Sequence, residues 1–186
     1  MARIPKSYQL SHDIDWFFRT DNRLCHCTSN SSIIPDGLDD RTNLRIAQEI
    51  IASMPIIFSP EQITVNEEYE ELYVSADFRQ MQELFNNEFP LSREDYRAQY
   101  LDSFIRMAQR GLWSFDHAAD MAENEYLLVA YPAEEPQMDN LLDTPHPLQG
   151  ETRLESVIPA AKHFKWDMNR LYVWIYTGDF LSGQSM

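Results

Sequence analysis

The stretch from Tyr8 to Asn30 limits what this chain can fold into more than any other. Two runs rich in aromatic, β-branched and cysteine residues, Tyr8–Thr20 and Arg23–Asn30, flank the pair Asp21-Asn22. Asx residues tolerate the positive φ angles of a tight two-residue turn, so the stretch is expected to form a β-hairpin. Antiparallel pairing then sets Thr20 opposite Arg23, Phe18 opposite Cys25, Trp16 opposite Cys27 and Ile14 opposite Ser29 on an apolar face. The other face carries Phe17 opposite His26, Asp15 opposite Thr28 and Asp13 opposite Asn30, because strand side chains alternate.

Two readings of that second face stay open. One polar and one apolar face is how a sheet looks when only one side packs on a core, which makes Asp13, Asp15 and His26 a solvated surface. Alternatively, two carboxylates two residues apart with an imidazole diagonal to one of them could hold a divalent metal or act as an acid/base pair. His12-Asp13 is not read as the metal pair of His-Asp phosphohydrolases, since strand neighbours point to opposite faces and cannot converge on one ion.

Charge narrows the partners. Asp and Glu number 30 against 15 Lys and Arg, a net charge of −15, and the only lysines are Lys6, Lys162 and Lys165. Such a surface repels phosphate backbones, so nucleic-acid binding is not expected, whereas a basic protein partner is attracted. An acidic balance that serves only solubility is the plainer alternative. Aromatic residues at 12% and hydrophobic residues at 44% are enough for a packed core.

Cys25 and Cys27 are the only cysteines. Two apart on a strand they lie roughly 6.5–7 Å from each other, too stretched for a disulfide, and no second cysteine pair completes a zinc site. Reduced thiols and a cytoplasmic location follow as the expectation. Neither a signal-peptide pattern nor a membrane-spanning run is read in the chain. Phosphate-cradling glycine motifs, nucleophile motifs, zinc helices and EF-hand loops are absent from the sequence, and no cofactor is expected.

Further along, Asp39 or Asp40 should cap a first helix whose Leu44, Ala47, Ile50, Ile51 and Met54 form a stripe ended by Pro55. That helix is expected to cover the hairpin's Trp16–Phe18 face. Ser59-Pro60-Glu61-Gln62 is a helix-start signal, but residues 61–76 mix strand and helix preferences. There Glu67, Glu68, Glu70 and Glu71 gather around Tyr69, as a solvated face or as a docking patch for a basic partner. A short helix follows over 76–87, then a helix over 93–110 capped by Ser92, striped by Tyr96, Tyr100, Leu101, Phe104 and Ala108, and closed by Gly111.

Leu112–His117 and Tyr126–Tyr131 read as an antiparallel pair of strands, with Ser114 and Asp116 sharing a face. Asp116 is therefore a further candidate acid beside Asp13, Asp15 and His26. Residues 132–150 form a proline-rich acidic loop, and His146 within it is not expected to bind metal. At most two short helical turns are expected between Arg153 and Lys165, a strand over Leu171–Thr177, and a flexible tail over 178–186. The chain is expected to be one α+β domain over residues 1–186, a mostly antiparallel sheet of about five strands with three or four helices on one face. Three functions fit it: a non-enzymatic interaction module of inhibitor, immunity or adaptor type, a metal-dependent or acid/base hydrolase using Asp13, Asp15, His26 and Asp116, and a small-ligand domain with an aromatic-lined pocket.

Overall fold

The computed structural model describes residues 3–35, 37–117, 125–161, 164–167, 172–175 and 180–181, with side chains through residue 161. The hairpin forms in the expected register. Strands β1 (Asp15–Arg19) and β2 (Leu24–Thr28) pair antiparallel, with Trp16 opposite Cys27, Phe17 opposite His26 and Phe18 opposite Cys25. The bend lies at Asp21 and Asn22, where the Thr20 amide donates to the Arg23 carbonyl (2.9 Å) and the Arg23 amide to Thr20 Oγ1 (3.1 Å). The first strand begins later than its composition suggests, because Lys6–Gln9 is a helical turn, α1. The Ser11 hydroxyl donates to the Ser7 and Tyr8 carbonyls there, satisfying groups that a strand would leave for a neighbour.

The crossover from β2 to the next central strand carries α2 (Arg41–Ser53), a tight turn at Pro60–Gln62, β3 (Ile63–Val65), α3 (Glu67–Tyr69), α4 (Ser75–Leu84) and α5 (Arg93–Gln109). A wide π-turn, Glu70–Val74, joins α3 to α4. It brings Tyr69 and Val74, five residues apart, into one buried cluster, which a regular 3.6-residue repeat would not do. Asp40 caps α2 by accepting from the Thr42 and Asn43 amides, and Ser92 caps α5 by accepting from Asp95. Then come β4 (Trp113–Asp116), β5 (Glu125–Pro132), α6 (Met138–Leu142), α7 (Leu154–Val157), β6 (Ala160–Ala161), β7 (Phe164–Asp167), β8 (Tyr172–Ile175) and β9 (Phe180–Leu181).

The fold is α+β, but its sheet is larger and more mixed than expected. Nine strands among the described residues run in the order β7-β8-β5-β4-β2-β1-β6-β9, with β3 also on β5. The β2/β4 and β1/β6 ladders are parallel and the others antiparallel. Two- and three-residue strands carry too little alternation to be read from sequence. Parallel pairing of β2 with β4 follows from the helical crossover between them. The strand Phe164–Asp167 begins inside the stretch to Lys165 where only helical turns were expected, and Phe180–Leu181 of the expected tail joins the sheet edge. Of the expected strand over 171–177, residues 172–175 form β8. Its other residues, the 118–124 loop and the rest of the tail lie outside the described residues.

The helices α2 and α5 lie on one face of the sheet, but not the face expected. Ala47, Ile50, Ile51 and Met54 of α2 pack with Phe17, Leu24 and Leu112, while Leu101, Phe104 and Ala108 of α5 pack with Leu127 and Val129. The opposite face, with Trp16, Phe18, Cys25, Cys27, Trp113 and Phe115, is closed by Ile4, Ile14, Ile34 and Leu38. Both faces of the hairpin are buried as a result. The acidic loop also folds inward, since Leu141 and Leu142 of α6 are buried. Among the described residues no helix is long and apolar enough to cross a membrane.

Candidate functional site

Cross-strand register builds the site in rows. Asp15 lies opposite Thr28, and Thr28 pairs with Asp116 on β4; one row along, Phe17 lies opposite His26, which pairs with Ser114. Asp116, on a strand distant in sequence, thereby comes beside the hairpin's polar face.

Two hydrogen-bonded chains result. In the first, His26 bridges Asp15 and Ser114: Nε2 lies 3.1 Å from Asp15 Oδ1 and Nδ1 2.6 Å from Ser114 Oγ. Burial alone would raise the Asp15 carboxyl, but the hydrogen bond and charge of His26 outweigh it and hold it below its ordinary value. An ionised Asp15 only accepts, so Nε2–H donates to it, while Nδ1 lies within hydrogen-bond reach of the Ser114 hydroxyl. In the second chain, Asp116 accepts from Tyr69 Oη at 2.8 Å and from the Thr28 hydroxyl. Desolvation pushes its carboxyl up, the bonds from Thr28 and Tyr69 pull it back in part, and the charge of Asp13 adds to the rise. Tyr69 in turn lies beside Tyr100 of α5, their ring centroids 6.5 Å apart.

Serine, histidine and aspartate in one chain is the connectivity of a nucleophilic triad. Access runs the wrong way for one. Ser114 and His26 are both 0% exposed, and Phe104 lies 6.2 Å from the imidazole, while the Asp15 side chain is 45% exposed. The carboxylate end of the chain meets solvent, whereas the hydroxyl end is enclosed. Asp13, itself exposed, accepts from the Asn30 amide at 2.7 Å. It pins a loop in which Asn30 and Ser31 both take positive φ, 42° and 59°. Among the described residues no three His, Cys, Asp or Glu side chains gather as a metal ion needs. The structure thus brings Asp15 and His26 into direct contact, sets Asp116 one strand beyond Thr28, and leaves Asp13 holding a loop.

The glutamate cluster is also rearranged. Tyr69, expected at the centre of a docking patch, is 0% exposed because the π-turn directs it onto Asp116. Glu70 pairs with Arg97 at 2.7 Å, and Glu71 faces Arg79 at 3.5 Å and Arg93 at 3.9 Å, while Glu67 and Glu68 remain exposed. His146 is buried: Nε2 meets Glu49 at 2.7 Å and Nδ1 accepts the Leu148 and Gln149 amides. Trp113 stacks on Tyr131 at 4.7 Å with the Arg23 guanidinium 4.1 Å over its ring.

Sequence reasoning missed Ser114, Thr28 and Tyr100, and placed Tyr69 in a docking patch rather than against Asp116. Ser114 and Thr28 had a signal, because each shares a strand face with an acid or imidazole already singled out. The tyrosines had none, since their arrival depends on how the crossover packs. Set against models of protein families, curated proteins and solved structures, the chain matches none of them.

Proposed function

We propose that this chain is a non-enzymatic protein-interaction module, of the inhibitor, immunity or adaptor kind, that engages a basic protein partner in the cytoplasm. The observation that carries the reading is where its few cations go. Arg3 pairs with Asp39, Arg19 with Glu155, Arg23 with Glu135, Arg45 with Glu49, Arg97 with Glu70, Arg106 with Asp102 and Arg153 with Asp143, and Arg79 and Arg93 share Glu71. Arginines held on the chain's own acids leave the excess carboxylates, such as the exposed Glu67, Glu68, Glu83, Glu88 and Glu94, to set the outward field. A net charge of −15 then steers a basic protein toward the surface. Cys25 and Cys27, both buried free thiols, fit a reducing compartment. The hydrolase reading is disfavoured by the burial of Ser114 and His26.

Affinity capture from a native lysate tests the proposal, run in parallel at about 0.1 M and about 1 M salt, where the screening length drops from ~10 to ~3 Å. A basic protein retained at low salt and released at high salt is expected. Retention of nothing at low salt, or of partners indifferent to salt, counts against it.

A further inference from the structure

The strand β3 forms an edge beside β5. Its register sets Ile63 opposite Pro132, Thr64 opposite Tyr131 and Val65 opposite Ala130. The Asn66 amide donates to the Val129 carbonyl and the Ala133 amide to Gln62, so residues 62, 64 and 66 turn their backbone groups toward β5. Alternation then turns the Val65 N–H and the carbonyls of Val65 and Ile63 outward, while the Ile63 amide is taken up by the Pro60 carbonyl. Among the described residues no strand lies beyond β3. A cleft of about 410 Å³ opens here, lined by Ile63, Val65, Glu67, Glu70, Glu71 and Arg97.

An open edge beside a cleft is a template for strand addition, and two occupants compete for it: a second copy of the chain or a foreign segment. Charge separates them. Two copies would each bring a charge of −15 and set the exposed Glu61, Glu67 and Glu68 against their counterparts. A basic segment meets the opposite sign, and Arg97, the cation lining the cleft, is already held by Glu70 at 2.7 Å.

We propose that β3 accepts an extended basic peptide segment as an added strand, its backbone pairing with Val65 and Ile63 and its basic side chains facing Glu67. This names the partner's binding segment and rests on the interaction reading above.

The test uses a labelled short peptide alternating arginine with valine, and a twin of equal charge whose pairing amides are N-methylated. The full chain is titrated into each and followed by fluorescence anisotropy. The unmodified peptide is expected to bind about tenfold or more tightly than the twin, a difference of ~1.4 kcal/mol. Val65→Pro, which removes the outward N–H that would donate to a peptide carbonyl, should weaken the unmodified peptide. Proline is tolerated on an edge strand whose N–H faces out, and an unchanged urea midpoint verifies the fold. Glu67→Lys should weaken both peptides alike. Equal, salt-sensitive binding of the twins, or an affinity for the unmodified peptide that Val65→Pro leaves unchanged, overturns strand addition and leaves charge attraction standing. Binding of neither peptide overturns strand addition as well, and the capture experiment then decides the broader reading independently.

Discussion

Asp15 and Asp116 stand in one row of the sheet with Thr28 between them, yet the surroundings move their carboxyls in opposite directions. Asp15 has an imidazole N–H and half of its side chain in water; Asp116 has only hydroxyl donors and a buried site. A carboxyl held below its unfolded value of about 3.9 adds stability that is fully present above that pH and is lost as pH falls through its folded value. A carboxyl held above it opposes folding increasingly as pH rises from about 4 through its folded value. Asp15→Asn should therefore be less stable than the parent at neutral pH, with the gap closing below about pH 4. Its neutral-pH cost should stay under about 1 kcal/mol, because solvent screens a half-exposed carboxylate. Urea midpoints across a pH series measure it; a gap that widened toward acid would mean that Asp15 does not accept from a charged or N–H-bearing His26.

At the scale of elements, the junction between α5 and β4 rests on Gly111. Its φ of +94° lets the chain leave the helix and enter the sheet across three residues, Arg110 to Leu112. A Cβ there would stand 3.2 Å from Leu141 Cδ1 and 3.2 Å from Pro136 Cγ, so the acidic loop packs against the glycine as well. Gly111→Ala should cost about 1–2 kcal/mol from left-handed backbone alone, and more if Pro136 and Leu141 must retreat. A lowered urea midpoint with unchanged slope is the expected reading; an unchanged midpoint would show that the junction relaxes freely. This cap was legible in the sequence, as were the hairpin register, the Asp40 and Ser92 caps and the β4/β5 pair, since each depends on neighbours a few residues apart. The side of the sheet that α2 covers was not legible. Both hairpin faces can be buried, one because it is apolar and the other because Asp15, His26 and Ser114 satisfy one another, and nothing local decides between them. The candidate site divides along the same line: the pairing of Asp15 with His26 follows from the turn, whereas Tyr69 reaches Asp116 only through the crossover and its π-turn.

At the scale of the whole molecule, surface charge acts on folding and on association with opposite dependence on salt. Excess negative charge spread over one domain repels itself, which destabilises the compact state and is relieved by screening. The surface ion pairs weaken in the same salt, but exposed pairs contribute only about 0–1 kcal/mol each. Here a net charge of −15 on 186 residues stands against pairs that are mostly exposed, such as Arg79–Glu71 and Arg106–Asp102. Repulsion should outweigh them. Raising sodium chloride from about 0.1 to about 1 M, which shortens the screening length from ~10 to ~3 Å, is thus expected to move the urea midpoint upward. The same change should release a basic partner. A midpoint that fell with salt would mean that the internal arginine pairs, rather than the unpaired carboxylates, dominate the electrostatics of the fold, and the field invoked to draw a basic partner would lose its source.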